Sequence, residues 1–250
     1  MTAWNRIPHS IADELAQTKA VKPAYMLGVL ISLFHFWYNS FGNIAGQAFN
    51  ILHFAGFVLL CGLINPLGKD SRLGYLDLSF TLAVALGAVY LIFAADLIHQ
   101  RGMRLSSMDW VIGTLVIVGA IEFVRRTTGW IIPMLILLAL SYITWWGAEI
   151  PGVFRFAGLS LETVLFRSLF GDDALFGSIA RISATFVFMF ILFGAFLLRS
   201  GAGDFVVHLS RAMAGRLVGG PGIVAVIGSG LTGTISGSAI ANTASTGVIT

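Results

Sequence analysis

The sequence predicts an all-α integral membrane protein: a multi-span helical bundle with an irregular, re-entrant hairpin at its C-terminal end. Three observations predict it. Hydrophobic residues make up 57% of the chain and charged residues 11%, with a mean hydropathy of +0.87, whereas soluble domains carry about 25% charged residues. Apolar runs recur near the length of about 20 residues that crosses a bilayer as a helix. The last 29 residues, Gly222–Thr250, hold no charge, yet 20 of them are Gly, Ala, Ser, Thr or Asn and only 9 are Ile, Val or Leu. That segment is too polar for an ordinary span. Irregular backbone survives at membrane depth only where protein buries it or a cavity solvates it.

Six spans are expected, near Pro23–Tyr38, Ala48–Ile64, Tyr75–Ile98, Met108–Val124, Trp130–Trp146 and Gly177–Leu198. Turn chemistry separates them at Asn39 to Gly42, Asn65 to Gly68, Arg101-Gly102, Thr128-Gly129 and Pro151-Gly152. The first twenty or so residues are polar and lack the apolar core of a cleaved signal peptide. With a cytoplasmic N-terminus, Arg6, Lys19, Lys22, Lys69, Arg72, Arg125, Arg126, Arg199, Arg211 and Arg216 lie inside. Arg101, Arg104, Arg155, Arg167 and Arg181 then lie outside, ten of the fifteen basic residues against five. This bias favours the N-terminus inside. The slight net charge of +3 comes without a basic stripe interleaved with aromatics, so nucleic acid is not an expected partner. The one cysteine, Cys61, excludes an intrachain disulfide and a cysteine metal cage.

Two amphipathic stretches fit neither span nor loop. Phe205, Leu209, Met213 and Leu217 recur every four residues, which predicts an interfacial helix over Asp204–Val218. Leu161, Val164, Leu165 and Leu169 predict a second surface-lying helix over Ser160–Phe170; the alternative is a loop helix packed on its neighbours.

Several polar groups invite functional readings. Glu122 stands three and four residues before Arg125 and Arg126, so one helix face carries all three. They are candidate scaffold or interface residues, and an interfacial ion pair that anchors the span outweighs a coupling or headgroup site. Asp96 and His99 close the third span, where snorkelling accounts for them. His35 and His53 lie within the first two spans with no carboxylate at ligand spacing, which favours structural hydrogen bonding over a proton path. Trp37, Trp130, Trp145 and Trp146 near span ends match an aromatic belt. The run Gly233-Thr234-Ile235-Ser236-Gly237 misses the G-x-S-x-G order of a nucleophile elbow, and no Walker, Rossmann or H-E-x-x-H pattern is present. An enzyme is not expected.

In the last segment, Gly219-Gly220-Pro221-Gly222 breaks one helix and starts another. Ile223–Thr234 can climb to mid-bilayer, and Ser236-Gly237-Ser238 permits a turn there, with Asn242 following. A re-entrant hairpin aims helix-end dipoles and free carbonyls at one point. Ser236, Ser238, Asn242 and nearby carbonyls supply oxygens suited to a hard cation. A small-residue packing face through Gly228–Thr232 and Gly233–Gly237 is the competing reading.

The runs Gly219-Gly220-Pro221, Gly233 through Asn242, and Thr246-Gly247-Val248-Ile249-Thr250 resemble the first hairpin of the large membrane subunit of TRAP transporters. Glu122 with Arg125 through Trp130, Pro151-Gly152, Ser183 through Phe188, Phe193 through Leu197, and Ser200 through Gly203 resemble the fused small-plus-large form that works with TAXI-type binding proteins. The resemblance implies the start of an inverted-repeat elevator transporter in the bacterial inner membrane. It would be driven by an ion gradient, Na⁺ or alternatively H⁺, with no other cofactor. A periplasmic TAXI-type solute-binding protein would deliver a small organic acid. Residues 1–20 would be a cytoplasmic segment, 21–127 a small-subunit-like four-helix scaffold, and 128–250 the start of the large subunit. Ser236, Gly237, Ser238 and Thr246 are the candidate substrate-binding residues. Ser236, Gly237 and Asn242 are the candidate Na⁺ ligands. Because the family continues into a second repeat and hairpin, the chain is expected to be an N-terminal piece with half a site. An intramembrane serine hydrolase and a scaffold subunit without its own site are the competing functions.

Overall fold

The structure is a computed structural model that describes residues 22–67, 72–214 and 218–234. Every regular element among these residues is helical: α1 (Lys22–Phe41), α2 (Gly46–Ile64), α3 (Arg72–Gln100), α4 (Ser107–Thr128), α5 (Ile131–Ser141), α6 (Leu161–Phe170), α7 (Ser178–Ile182), α8 (Phe188–Arg199), α9 (Ala202–Ala214) and α10 (Gly220–Gly233). π-Helical turns extend α5 over Tyr142–Trp146 and join α7 to α8 over Ser183–Val187. Among the described residues four stretches are long and apolar enough to cross a membrane: Gly46–Ile64, Arg72–Gln100, Ser107–Thr128 and Ser178–Leu197. Ile131–Trp146 is a shorter apolar helix, and α1 spans 20 residues. The protein is a multi-pass helical membrane protein. At 29 residues, α3 rises about 43 Å and outruns the roughly 30 Å hydrocarbon core.

Local chemistry sets the helix ends. Ser106 caps α4 by accepting the Asp109 amide, while its own amide donates to Asp109 Oδ2 at 2.8 Å, a capping box. Gly129 ends α4 with φ of 81°, a left-handed conformation that a side chain would strain. The first turn falls later than expected. Rather than stopping at Tyr38, α1 runs to Phe41, because Asn39 lays its Nδ2 on the His35 carbonyl at 2.8 Å instead of opening a turn.

The chain divides into two compact units, the first to Arg181 and the second from Ile182. In the first, one core joins Ile51, Ala55 and Val58 of α2 to Val84, Ala88 and Leu91 of α3, Val116 and Phe123 of α4, and Leu165 and Leu169 of α6. The Ser160–Phe170 stretch is thus a helix, but three of its four apolar positions, Val164, Leu165 and Leu169, are buried. It packs on its neighbours. Glycines set how closely the long helices approach, as small residues do in membranes. A Cβ at Gly119 would sit 2.5 Å from Val84 Cγ2, and one at Gly62 would sit 2.5 Å from Thr81 Cγ2. Outward-facing Leu86 and Phe93 are 67% and 74% exposed, as expected where the surrounding medium is hydrocarbon.

Gly119→Leu should therefore drive α4 off α3. Overpacking of this kind costs about 1–3 kcal/mol. Thermal unfolding in detergent should show the loss, and adding Val84→Ala should recover most of it. An unchanged melting point in the single variant would mean that the contact yields freely.

In the second unit α9 and α10 pack together. The buried residues of α9 are Val206, Ser210 and Ala214, whereas Phe205 and Met213 are 65% and 63% exposed. Phe205 and Met213, on the apolar face that the sequence marks as interfacial, are thus not on the side of α9 that is buried. Leu217 lies outside the described residues.

Candidate functional site

The charged residues at the end of α4 form a closed network. Arg125 grips Glu122 with two bonds, Nε to Oε2 at 2.7 Å and Nη2 to Oε1 at 2.8 Å, and its guanidinium lies 5.1 Å from the Trp130 ring centre. Arg126 donates from Nε to Glu122 Oε1 at 2.9 Å. Its other edge binds Asp77 of α3 through Nη2 to Oδ1 at 2.5 Å and Nη1 to Oδ2 at 3.1 Å. Asp77 Oδ2 also accepts the Leu67 amide at 3.0 Å. The Arg126 and Asp77 side chains are each only 3% exposed. Two carboxylates thus meet two guanidiniums, with every charge matched. Such a cluster fixes α4 to α3 and to the chain entering α3; it offers no spare charge to a solute. The structure brings Glu122, Arg125 and Arg126 together in this one network.

Asp77 is the partner that helical spacing could not supply. A lone acid near the start of an apolar span was the available signal, since an ionisable group at membrane depth needs a partner. Asp109 is a second such residue. It is 1% exposed and accepts from Arg101 Nη2 at 2.7 Å, Tyr90 Oη at 3.0 Å and Ser106 Oγ at 2.7 Å. Here too the charge is consumed by structure, closing the α3–α4 connection. His35 and His53 bond to each other, Nε2 to Nδ1 at 2.8 Å, and His35 Nδ1 donates to the Ile31 carbonyl at 2.7 Å. Because that carbonyl only accepts, Nδ1 carries a proton in either charge state. The pair joins α1 to α2, the structural hydrogen bonding expected of it.

The approach to the small-residue segment is described; its tip is not. Gly219 takes a left-handed φ of 78°, and Pro221 stands in the first turn of α10, where its missing N–H costs nothing. The expected helix break and restart are both there. Gly220, Val224, Gly228 and Thr232 form one buried stripe at intervals of four. Thr232 turns its hydroxyl back onto the Gly228 carbonyl, so that stripe is a packing face. This bears out the packing reading for Gly228–Thr232. At 14 residues, α10 rises about 21 Å, short of the roughly 30 Å hydrocarbon core. Ser236, Gly237, Ser238, Asn242 and Thr246 all lie outside the described residues. Among the described residues no group of three His, Cys, Asp or Glu side chains could hold a metal ion.

A family model described as the tripartite ATP-independent periplasmic transporter, DctM component, matches residues 115–250, more than half of the chain. The chain belongs to this family. The protein is therefore a membrane component of a TRAP transporter, and its family is one of transporters rather than enzymes. The matched region opens within α4, takes in Glu122, Arg125 and Arg126, and runs through α10 and the small-residue segment beyond it. No curated protein and no solved structure matches the chain.

Proposed function

We propose that the chain is the N-terminal part of a fused small-plus-large TRAP membrane subunit. It imports a small organic acid, delivered by a periplasmic TAXI-type binding protein, across the bacterial inner membrane by an elevator mechanism. One observation carries the reading most directly. The family match begins in α4, while α1–α3 stand ahead of it and α2–α3 share a core with α4, as a small-subunit portion joined to a large one would. In this reading the scaffold is assigned to 21–127 and the transport portion to 128 onward, with the family match opening 13 residues earlier, at 115. Helix α10 supplies the first arm of a re-entrant hairpin, and its length suits a stop within the bilayer. Ser236, Gly237, Ser238 and Thr246 take the carboxylate at that tip. Ser236, Gly237 and Asn242 supply oxygens to Na⁺, with H⁺ as the alternative coupling ion. The binding protein docks near Ser160–Asp173, where Arg167, Asp172 and Asp173 are exposed. Glu162 contributes less there, since its Oε1 is held by the Leu105 amide at 2.8 Å.

The test uses the full-length protein in proteoliposomes. Uptake of a labelled carboxylate should require both the binding protein and an inward Na⁺ gradient. Uptake that ignores the binding protein would remove the tripartite reading, and uptake that follows only a pH gradient would replace Na⁺ with H⁺. Orientation is tested separately. Cysteines at Lys19 and at the fully exposed Val153 (96%) should label from opposite sides of intact membranes, with Lys19 cytoplasmic. Labelling from one side would overturn the topology.

A further inference from the structure

A cavity of about 240 Å³ opens on the flank of the first unit, between α4, the π-extended end of α5, and α6. Its walls include Trp110, Ile117, Leu137, Leu140 and Trp145, and none of its lining residues is charged. Two of the four hydroxyls along it, those of Ser141 and Thr144, are spoken for. Ser141 Oγ donates to the Leu138 carbonyl at 2.8 Å and accepts from Trp146 Nε1 at 3.1 Å. Thr144 Oγ1 donates to the Leu140 carbonyl at 2.8 Å. A polar solute would leave its water here and gain few hydrogen bonds in return, a penalty that burial of polar groups always carries.

The depth of the cavity selects among apolar occupants. Helix α4 crosses the membrane, and Trp110 stands in its first turn. From Trp110 to Ile117 the helix rises about 10 Å, which is the upper two thirds of one leaflet of a roughly 30 Å core. Trp145, 69% exposed, marks the same end from α5. Indoles of this kind settle where hydrocarbon meets headgroups. The π turn at Tyr142–Trp146 carries Trp145 and brings Thr144 to the same wall.

We propose that this cavity holds one acyl chain of a membrane phospholipid, with its ester region level with Trp110 and Trp145 and its tail running toward Ile117. The chain fills the space between the end of α5 and α6, and links these elements to α4 without a protein side chain.

Photo-crosslinking tests it. The full-length protein is placed in vesicles of phosphatidylethanolamine and phosphatidylglycerol doped with a phospholipid that carries a diazirine in one acyl chain, and adducts are mapped by peptide mass spectrometry. Adducts should concentrate at Leu137 and Leu140 above the level at Leu86 and Phe93, which face lipid elsewhere on the bundle. Ser168→Phe, which fills the cavity from α6, should lower the cavity adducts about fivefold and leave those at Leu86 and Phe93 unchanged. Leu140→Trp fills it from α5 and should act alike if the first variant fails to fold. Cavity labelling no higher than at the control positions, labelling unmoved by a folded filled variant, or a crosslink from another stretch of protein into the cavity would each overturn the proposal.

Discussion

Arg126→Met should destabilise the folded bundle by about 3–5 kcal/mol, the usual cost of removing one partner from a buried ion pair. The substitution keeps most of the side chain's volume and removes only the guanidinium. Asp77, 3% exposed, would then keep the Leu67 amide and nothing to balance its charge. Glu122 would lose one of its two arginines. Measured as thermal unfolding in detergent or as folded yield from membranes, the loss should be far larger for Arg126→Met than for Arg125→Met, since Arg125 is 25% exposed against 3% for Arg126. Asp77→Asn combined with Arg126→Gln should recover a large part of it, because both buried charges leave together. Equal losses in the two single variants would mean that burial is not what sets the cost.

Asn242→Leu should abolish ion-dependent uptake while leaving membrane expression unchanged. A dehydrated cation needs several oxygens at once, and this amide carbonyl offers one without a titratable charge. The segment already tolerates apolar neighbours, so a leucine should not unfold it. Gly237→Val should block transport as well, by denying the turn a backbone conformation that only glycine adopts readily. Ser245→Ala is the milder change beside them: on a helix Ser245 would lie about 20° from Ser238 and about 60° from Asn242, so its loss should weaken uptake without abolishing it. The decisive measurement is Na⁺-titrated uptake for all three at matched expression. A wild-type Na⁺ response in the first two would extend the packing role of Gly228 and Thr232 to the whole segment.

Apolar run length and turn residues made the helices legible. Gly129 and the Gly219–Pro221 break end or start helices where the sequence places them, because a left-handed φ and a missing amide leave few other options. The pairing of Glu122 with Arg125 and Arg126 was legible for the same reason: spacings of three and four share a helix face. Asp77 with Arg126 was not, since 49 residues separate them and only packing of α3 on α4 brings them together. The His35–His53 bond, across 18 residues, escaped for the same reason. The amphipathic pattern of α9 was read correctly as a pattern. Which side faces protein depended on small residues, Val206, Ser210 and Ala214, whose burial carries little periodic signal. Asn39 shows the opposite failure, a turn former whose side chain found the carbonyl one helical turn back and let α1 continue.

The matched charges at the end of α4 bear on how the protein experiences voltage. A membrane potential does about 2.3 kcal/mol of work per elementary charge per 100 mV on a charge that crosses it. Asp77, Glu122, Arg125 and Arg126 sum to zero and are bonded into one body, and Arg101 with Asp109 also sums to zero. Neither cluster gives the field a net charge to pull on, whatever displacement it undergoes. These two clusters therefore add no charge movement of their own to any current that accompanies transport.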